Sequence, residues 1–111
     1  MESLFHPDPA QAAVFQPDKM GKATLWQGAG MMVGLNAFEP GQEHATHAHE
    51  GMDKLYQVLE GSGRFQVGEE AREVTAGSLI IAPSGVPHGV VNTGHGRLVV
   101  LAVLAPPPGP R

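Results

Sequence analysis

The stretch Gly77-Ser78-Leu79-Ile80-Ile81-Ala82-Pro83-Ser84-Gly85-Val86-Pro87-His88-Gly89-Val90-Val91-Asn92 decides how the chain is read. Two short apolar runs flank a turn built from Pro and Gly, and one His stands at the exit of the turn. Pro83 and Pro87 restrict the backbone on either side of Gly85, which can adopt angles that other residues resist, so the loop aims the His88 imidazole rigidly. The spacing is G-x5-P-x-G-x2-H-x3-N. In a chain of this composition its five fixed positions coincide by chance on the order of once in several thousand. Upstream, Gly41, His47, His49 and Gly61 give G-x5-H-x-H-x11-G, and fifteen residues separate Gly61 from Gly77.

Outside these segments the chain keeps the same rhythm. From Ala23 onward, apolar stretches of five to eight residues alternate with breaks at Gly28/Gly30, Pro40-Gly41, Gly61/Gly63, Gly68, Gly77, Pro83/Gly85 and Gly94/Gly96. No apolar stripe of helical period runs for about a dozen residues, so the pattern predicts an all-β sandwich or barrel of short strands. Strands are predicted at 24–27, 31–38, 44–49, 55–59, 64–67, 72–75, 78–82, 89–92 and 97–104. The alternation of Arg64-Phe65-Gln66-Val67, running into Gly68-Glu69-Glu70, marks a hairpin with one wet face. Leu98-Val99-Val100-Leu101-Ala102-Val103-Leu104 is apolar at both parities and needs cover on both faces, inside a sandwich or at a subunit contact. Residues 1–22 read as an irregular N-terminal arm that packs on the domain or on a partner subunit, 23–105 as one domain, and 106–111 as a Pro-rich, extended tail.

The histidines carry the chemistry. With six His in 111 residues, chance supplies roughly 0.3 pairs at i, i+2, so His47 and His49 gain weight only when joined to His88. On a strand, residues two apart share a face, so His47 and His49 present two imidazoles to one ion while His44 points the other way. A third nitrogen from a neighbouring strand makes a facial metal site with open positions. The chain has no Cys, which limits metal ligands to His, Asp, Glu or Gln. His6, His44 and His95 are expected at the surface or an interface. Asn92 is expected either to support His88 or to hydrogen-bond within the turn that follows it.

Together the two segments resemble the paired motifs of the cupin superfamily, and the flanking strands extend the resemblance to residues 23–105. It implies a double-stranded β-helix, the small RmlC-like jelly-roll barrel of the type-2 cupins, commonly a homodimer. It also implies a divalent transition metal (Fe, Mn, Ni or Zn) held near the barrel mouth by His47, His49 and His88. In the family a Glu five residues after the second His usually completes the set. Here that position is Lys54, and a protonated ammonium cannot coordinate a cation. Asp53 stands where some small cupins place a fourth ligand, Gln57 is a second candidate, and three His with water is a third arrangement. Lys54 has two readings. It points outward and pairs with Asp53, Glu50 or Glu60, or it faces the pocket with a lowered pKa, binding a substrate carboxylate or enolate or carrying a proton. Tyr56 shares its parity and either offers a phenol to the same pocket or fills the core.

Composition removes other classes. Seven Lys and Arg against eleven Asp and Glu, a net charge of −4, leave no basic stripe for nucleic acid or an anionic membrane surface. The longest apolar run, Leu98 to Ala105, is far short of the roughly 20 residues a membrane-spanning helix needs. The start, MESLFHPDPAQ, lacks the basic-then-apolar order of an export signal, so a cytoplasmic setting is expected. There is no Ser-His-Asp arrangement, phosphate-cradling loop or dinucleotide fingerprint. The first expectation is a metal-dependent enzyme acting on a small, oxygen-rich organic molecule by dioxygenation, enol–keto isomerisation or decarboxylation. The second is a non-catalytic module that binds or senses a metal or small ligand, favoured by Lys54 in place of Glu. A metal-free barrel of the sugar-isomerase type, with His as a base, is a third, although it needs no three-His cluster.

Overall fold

In the computed structural model, which describes residues 3–109, Lys54, Tyr56 and Val58 are buried and alternate with half-buried Leu55 and Gln57. This period of two is what a strand needs to form a wall with one face on the core. The same alternation, cut by the Gly and Pro breaks, produces nine strands: β1 (Gly21–Gln27), β2 (Met32–Phe38), β3 (Glu43–His47), β4 (Asp53–Glu60), β5 (Ser62–Val67), β6 (Glu70–Thr75), β7 (Leu79–Ala82), β8 (His88–Val91) and β9 (Leu98–Ala105). Each lies within a few residues of its predicted position. They pair antiparallel in two sheets, one of order β1-β2-β9-β4-β7 and one of order β3-β8-β5-β6. The expected all-β jelly roll is the fold.

The two sheets enclose a core that includes Met20, Phe38, Tyr56, Val58, Phe65, Val90, Leu98 and Val100. Tyr56 on β4 meets Phe65 on β5 edge to face, ring centres 5.4 Å apart, and so ties one sheet to the other. The doubly apolar β9 runs between β2 and β4. Its Leu98, Val100 and Ala102 enter the core, and Val99 on the opposite face is buried as well, with the 3-10 turn Pro9–Ala12 packed against the strand.

The N-terminal segment is more built-in than an irregular arm. β1 begins at Gly21, and Met20 is a core residue. Arg97 stacks over the Phe15 ring at 4.1 Å while its Nε and Nη2 donate to the two Glu39 carboxylate oxygens at 3.1 Å. Gln42 donates to the Gln16 carbonyl at 2.8 Å and accepts from the Glu39 amide at 2.9 Å. A Cβ on Gly21 would lie 1.7 Å from the Val14 carbonyl oxygen, so only glycine lets the strap lie flat there. Residues 14–22 therefore belong to the barrel wall, and packing that joins Phe15 to Arg97 across 82 positions is invisible to local pattern. After β9, Pro106–Gly109 take no regular structure; the ends of the predicted arm and tail, residues 1–2 and 110–111, lie outside the described residues. Among the described residues, no helix is long and apolar enough to cross a membrane.

Candidate metal centre

Strand β3 does not pair evenly with β8. His44 lies opposite Val90 and His47 opposite His88, with a shift of register between them. In a regular strand His44 and His47, three apart, would face opposite sides. The irregularity turns both toward the inner face shared by Val90 and His88. The His44 ring is thus 4.2 Å from that of His47, half-buried, with its Nδ1 buried and unpartnered. This corrects the expectation that His44 points away to the surface. Burial first, then His47 and Lys54, push its pKa down to about 3, so it is neutral at physiological pH. His49 lies beyond the end of β3, so shared strand parity is not what gathers the imidazoles. Its ring is nonetheless 4.7 Å from that of His47 and 5.5 Å from that of His88.

A clasp ties the β3–β4 loop, which carries His49, to the β7–β8 loop, which leads into His88, while His88 itself pairs with His47 and Val67 on the neighbouring strands. The Gly85 amide donates to the His49 carbonyl at 2.8 Å, the Gly51 amide to Ser84 Oγ at 2.8 Å, and the Ser84 amide to Asp53 Oδ1 at 2.9 Å. Gly85 sits at φ +78, the left-handed conformation that the Pro-Gly spacing called for.

Two ligand candidates have their tautomers set by the chain itself. His47 Nδ1 is 2.7 Å from the Ala45 carbonyl and His88 Nδ1 is 3.0 Å from the Val86 carbonyl. A carbonyl oxygen only accepts, so each Nδ1 carries the hydrogen, and in the neutral ring the lone pair is then on Nε2. Both Nε2 atoms are buried without a partner. His47, His49 and His88 each offer one nitrogen within 4.8 Å of the others. His88 is 1% exposed, and desolvation, opposed by the Val86 hydrogen bond, lowers its pKa and keeps it neutral. Imidazoles that converge on one point, two of them oriented by backbone carbonyls, suit a divalent transition metal.

The remaining candidates divide. Asp53 is exposed, its Oδ1 is taken by the Ser84 amide, and it lies outside the three-His group. Gln57 has the opposite parity to Tyr56 and stands on the outer face of β4. Lys54 is 5% exposed, and its Nζ lies 4.7 Å from the centre of the Tyr56 ring. Among the described residues it pairs with no carboxylate, so the outward reading with Asp53, Glu50 or Glu60 is set aside. Burial and, after it, the Lys22 charge lower its pKa to about 8. Tyr56 is fully buried, which raises its pKa; its hydroxyl has no partner, and its ring is 6.1 Å from that of His88. Asn92 takes the turn role: its amide donates to the Phe38 and Gly96 carbonyls and accepts from the Gly94 amide. A separate cleft of about 500 Å³ opens between β5–β6 and β7; Phe65 is on its wall and no His lines it.

Comparison with known proteins bears on the family and the fold. The family model described as "Cupin domain" matches residues 34–104. The uncharacterized protein YrkC of Bacillus subtilis is 28% identical over 95 residues, 80% of this chain and 51% of that protein. An oxalate-binding protein of Thermotoga maritima is 35% identical over 65 residues, 59% of this chain and 54% of its own length. The chain thus spans about half the length of these curated relatives. The crystal structure of TT1209 from Thermus thermophilus superposes with a TM-score of 0.88 at 40% identity, covering 93% of this chain and 98% of that one.

Proposed function

This chain belongs to the cupin family, and we propose that it is a metal-dependent cupin enzyme in which His47, His49 and His88 hold a divalent Fe, Mn, Ni or Zn ion. The observation that carries this reading is the convergence of the three imidazoles, with the Nε2 atoms of His47 and His88 buried, unpartnered and fixed as acceptors by their Nδ1 hydrogen bonds. A metal bound there supplies Lewis acidity, with open positions for substrate oxygens. The chain's own residues do the rest. The loop clasp holds two of the imidazoles in place, the Tyr56 and Phe65 rings exclude water on the barrel side, and the Lys54 ammonium and Tyr56 hydroxyl bind substrate and move a proton at its oxygens. The substrate is a small, oxygen-rich organic molecule transformed by dioxygenation, isomerisation or decarboxylation; the relative named for oxalate binding supports that size and chemistry. The homodimer and the cytoplasmic setting implied by the sequence are part of the same proposal.

Elemental analysis of protein purified without chelator tests the reading. About one metal per chain in the parent and none in His47→Ala supports it; the same metal content in both overturns the site. One observation favours a non-catalytic binding module instead: the buried cation, Lys54, where the family usually places an anionic ligand. Oxygen uptake or product formation on diketones, phenols and keto acids separates the two readings.

A further inference from the structure

The buried polar and charged residues of the described chain are Asn36, Lys54, His88 and Asn92, which include one formal cation and no carboxylate. Lys54 is therefore an ammonium inside a barrel without a counter-ion, a costly arrangement unless a negative charge is brought to it. The groups around it deepen the imbalance. His44 and His88 face it electrostatically and are neutral, Lys22 adds a further positive charge, and the Tyr56 hydroxyl, on the residue whose ring Lys54 overlies, is itself buried without a partner. Asp53, the adjacent carboxylate, is turned outward to the Ser84 amide.

We propose that Lys54 and Tyr56 form an anion subsite beside the three imidazoles, and that the ligand of this barrel is a short organic dianion with one end at the imidazoles and the other on the Lys54 Nζ and Tyr56 hydroxyl. The subsite deepens the metal reading above and rests on it for the first of the two ends. Two carriers of positive charge set side by side, a metal ion and an ammonium, favour two linked anionic groups over one. The spacing is short: Nζ lies 4.7 Å from the Tyr56 ring centre, and that ring lies 6.1 Å from His88. Because Tyr56 neighbours both Lys54 and His88, a short dianion is the fitting probe, and malonate, with one carbon between its carboxylates, is one. Arg would serve differently from Lys, because its planar fork replaces a compact point charge.

The test is calorimetric titration of malonate, with acetate as the single-anion control, into the Mn(II)-loaded and the metal-free protein, with metal content measured in parallel. The parent loaded with Mn(II) is expected to bind malonate at least tenfold more tightly than acetate. Lys54→Met is expected to remove that preference without changing metal content, Lys54→Arg to restore part of it, and Tyr56→Phe to weaken malonate several-fold; circular dichroism verifies that each variant is folded. Malonate bound equally well by the parent and by folded Lys54→Met overturns the subsite, as does no preference over acetate in the parent. If the parent takes up no metal, the metal reading fails, and Lys54-dependent binding of malonate to the metal-free protein then still supports the subsite, whereas its absence overturns both.

Discussion

His88 opens β8 and Asn92, four residues on, directly follows its last residue; each is 1% exposed. Their surroundings treat them in opposite ways. The Asn92 side chain is saturated, donating to the Phe38 carbonyl at 3.0 Å and the Gly96 carbonyl at 2.9 Å and accepting from the Gly94 amide at 3.0 Å. His88 has one ring nitrogen bonded and the other orphaned. Buried polar groups in folded proteins nearly always find partners. Yet His44 Nδ1, His47 Nε2, Tyr56 Oη and His88 Nε2 are all left open, and the four rings are neighbours. One end of the barrel uses polar atoms to close the fold, and the other holds them back from it. Saturation separates the residue that builds from the residue that binds better than burial does.

That contrast breaks most easily at its two principals. His88→Ala is expected to take metal content from about one per chain to none, with the urea midpoint of the metal-free protein lowered only by the cavity the ring leaves, because its side chain made a single internal hydrogen bond. Asn92→Ala is expected to do the reverse. It strands two carbonyls and an amide, costs about 2–4 kcal/mol by urea unfolding, and leaves the metal content of the folded fraction unchanged. If both variants moved both readouts together, the two ends would be one unit. Smaller in effect, Asp53 sharpens the boundary between holding a ligand and being one. Asp53→Ala is expected to weaken metal retention against a competing chelator by about tenfold through the loosened clasp. Asp53→Asn keeps an oxygen for the Ser84 amide and should behave like the parent, whereas a direct ligand would fail in both variants. Smallest is Tyr56→Phe, which deletes an orphan hydroxyl and keeps the ring. Unfolding should show stability unchanged or raised by about 1 kcal/mol, the opposite of what removing a structural hydroxyl does.

The strands were legible because each element obeys a local rule: period two along Lys54-Tyr56-Val58, hairpin chemistry at Gly68, and a Pro106 that ends β9. The grouping of His47, His49 and His88 was legible through their spacing. The inward turn of His44 was not, because it depends on a slip against β8 that has no signature in His44-Ala45-Thr46-His47 itself. The parity rule brought His47 and His49 together for the wrong reason, since a hydrogen bond from Gly85 to the His49 carbonyl, 36 residues away, does that work. Lys54 could be read either way from sequence. Its direction follows from sharing a face with Tyr56 and Val58, whose burial only the closed barrel decides.

The strap that runs from Val14 to Gly21 puts a seam in the chain at a different place from the apparent change in sequence pattern. Ser3 to Asp8 are exposed, whereas Phe15, Gln16 and Met20 are engaged by Arg97, Gln42 and the core. A protease should therefore nick ahead of Pro9 and leave a barrel that melts as before, while a cut between Phe15 and Gly21 removes the aromatic platform under Arg97 and frees an edge of the five-stranded sheet. An affinity handle or carrier joined ahead of Pro9 would hang clear of the wall, and the same graft placed at the apparent boundary near Ala23 would cost the protein its first strand.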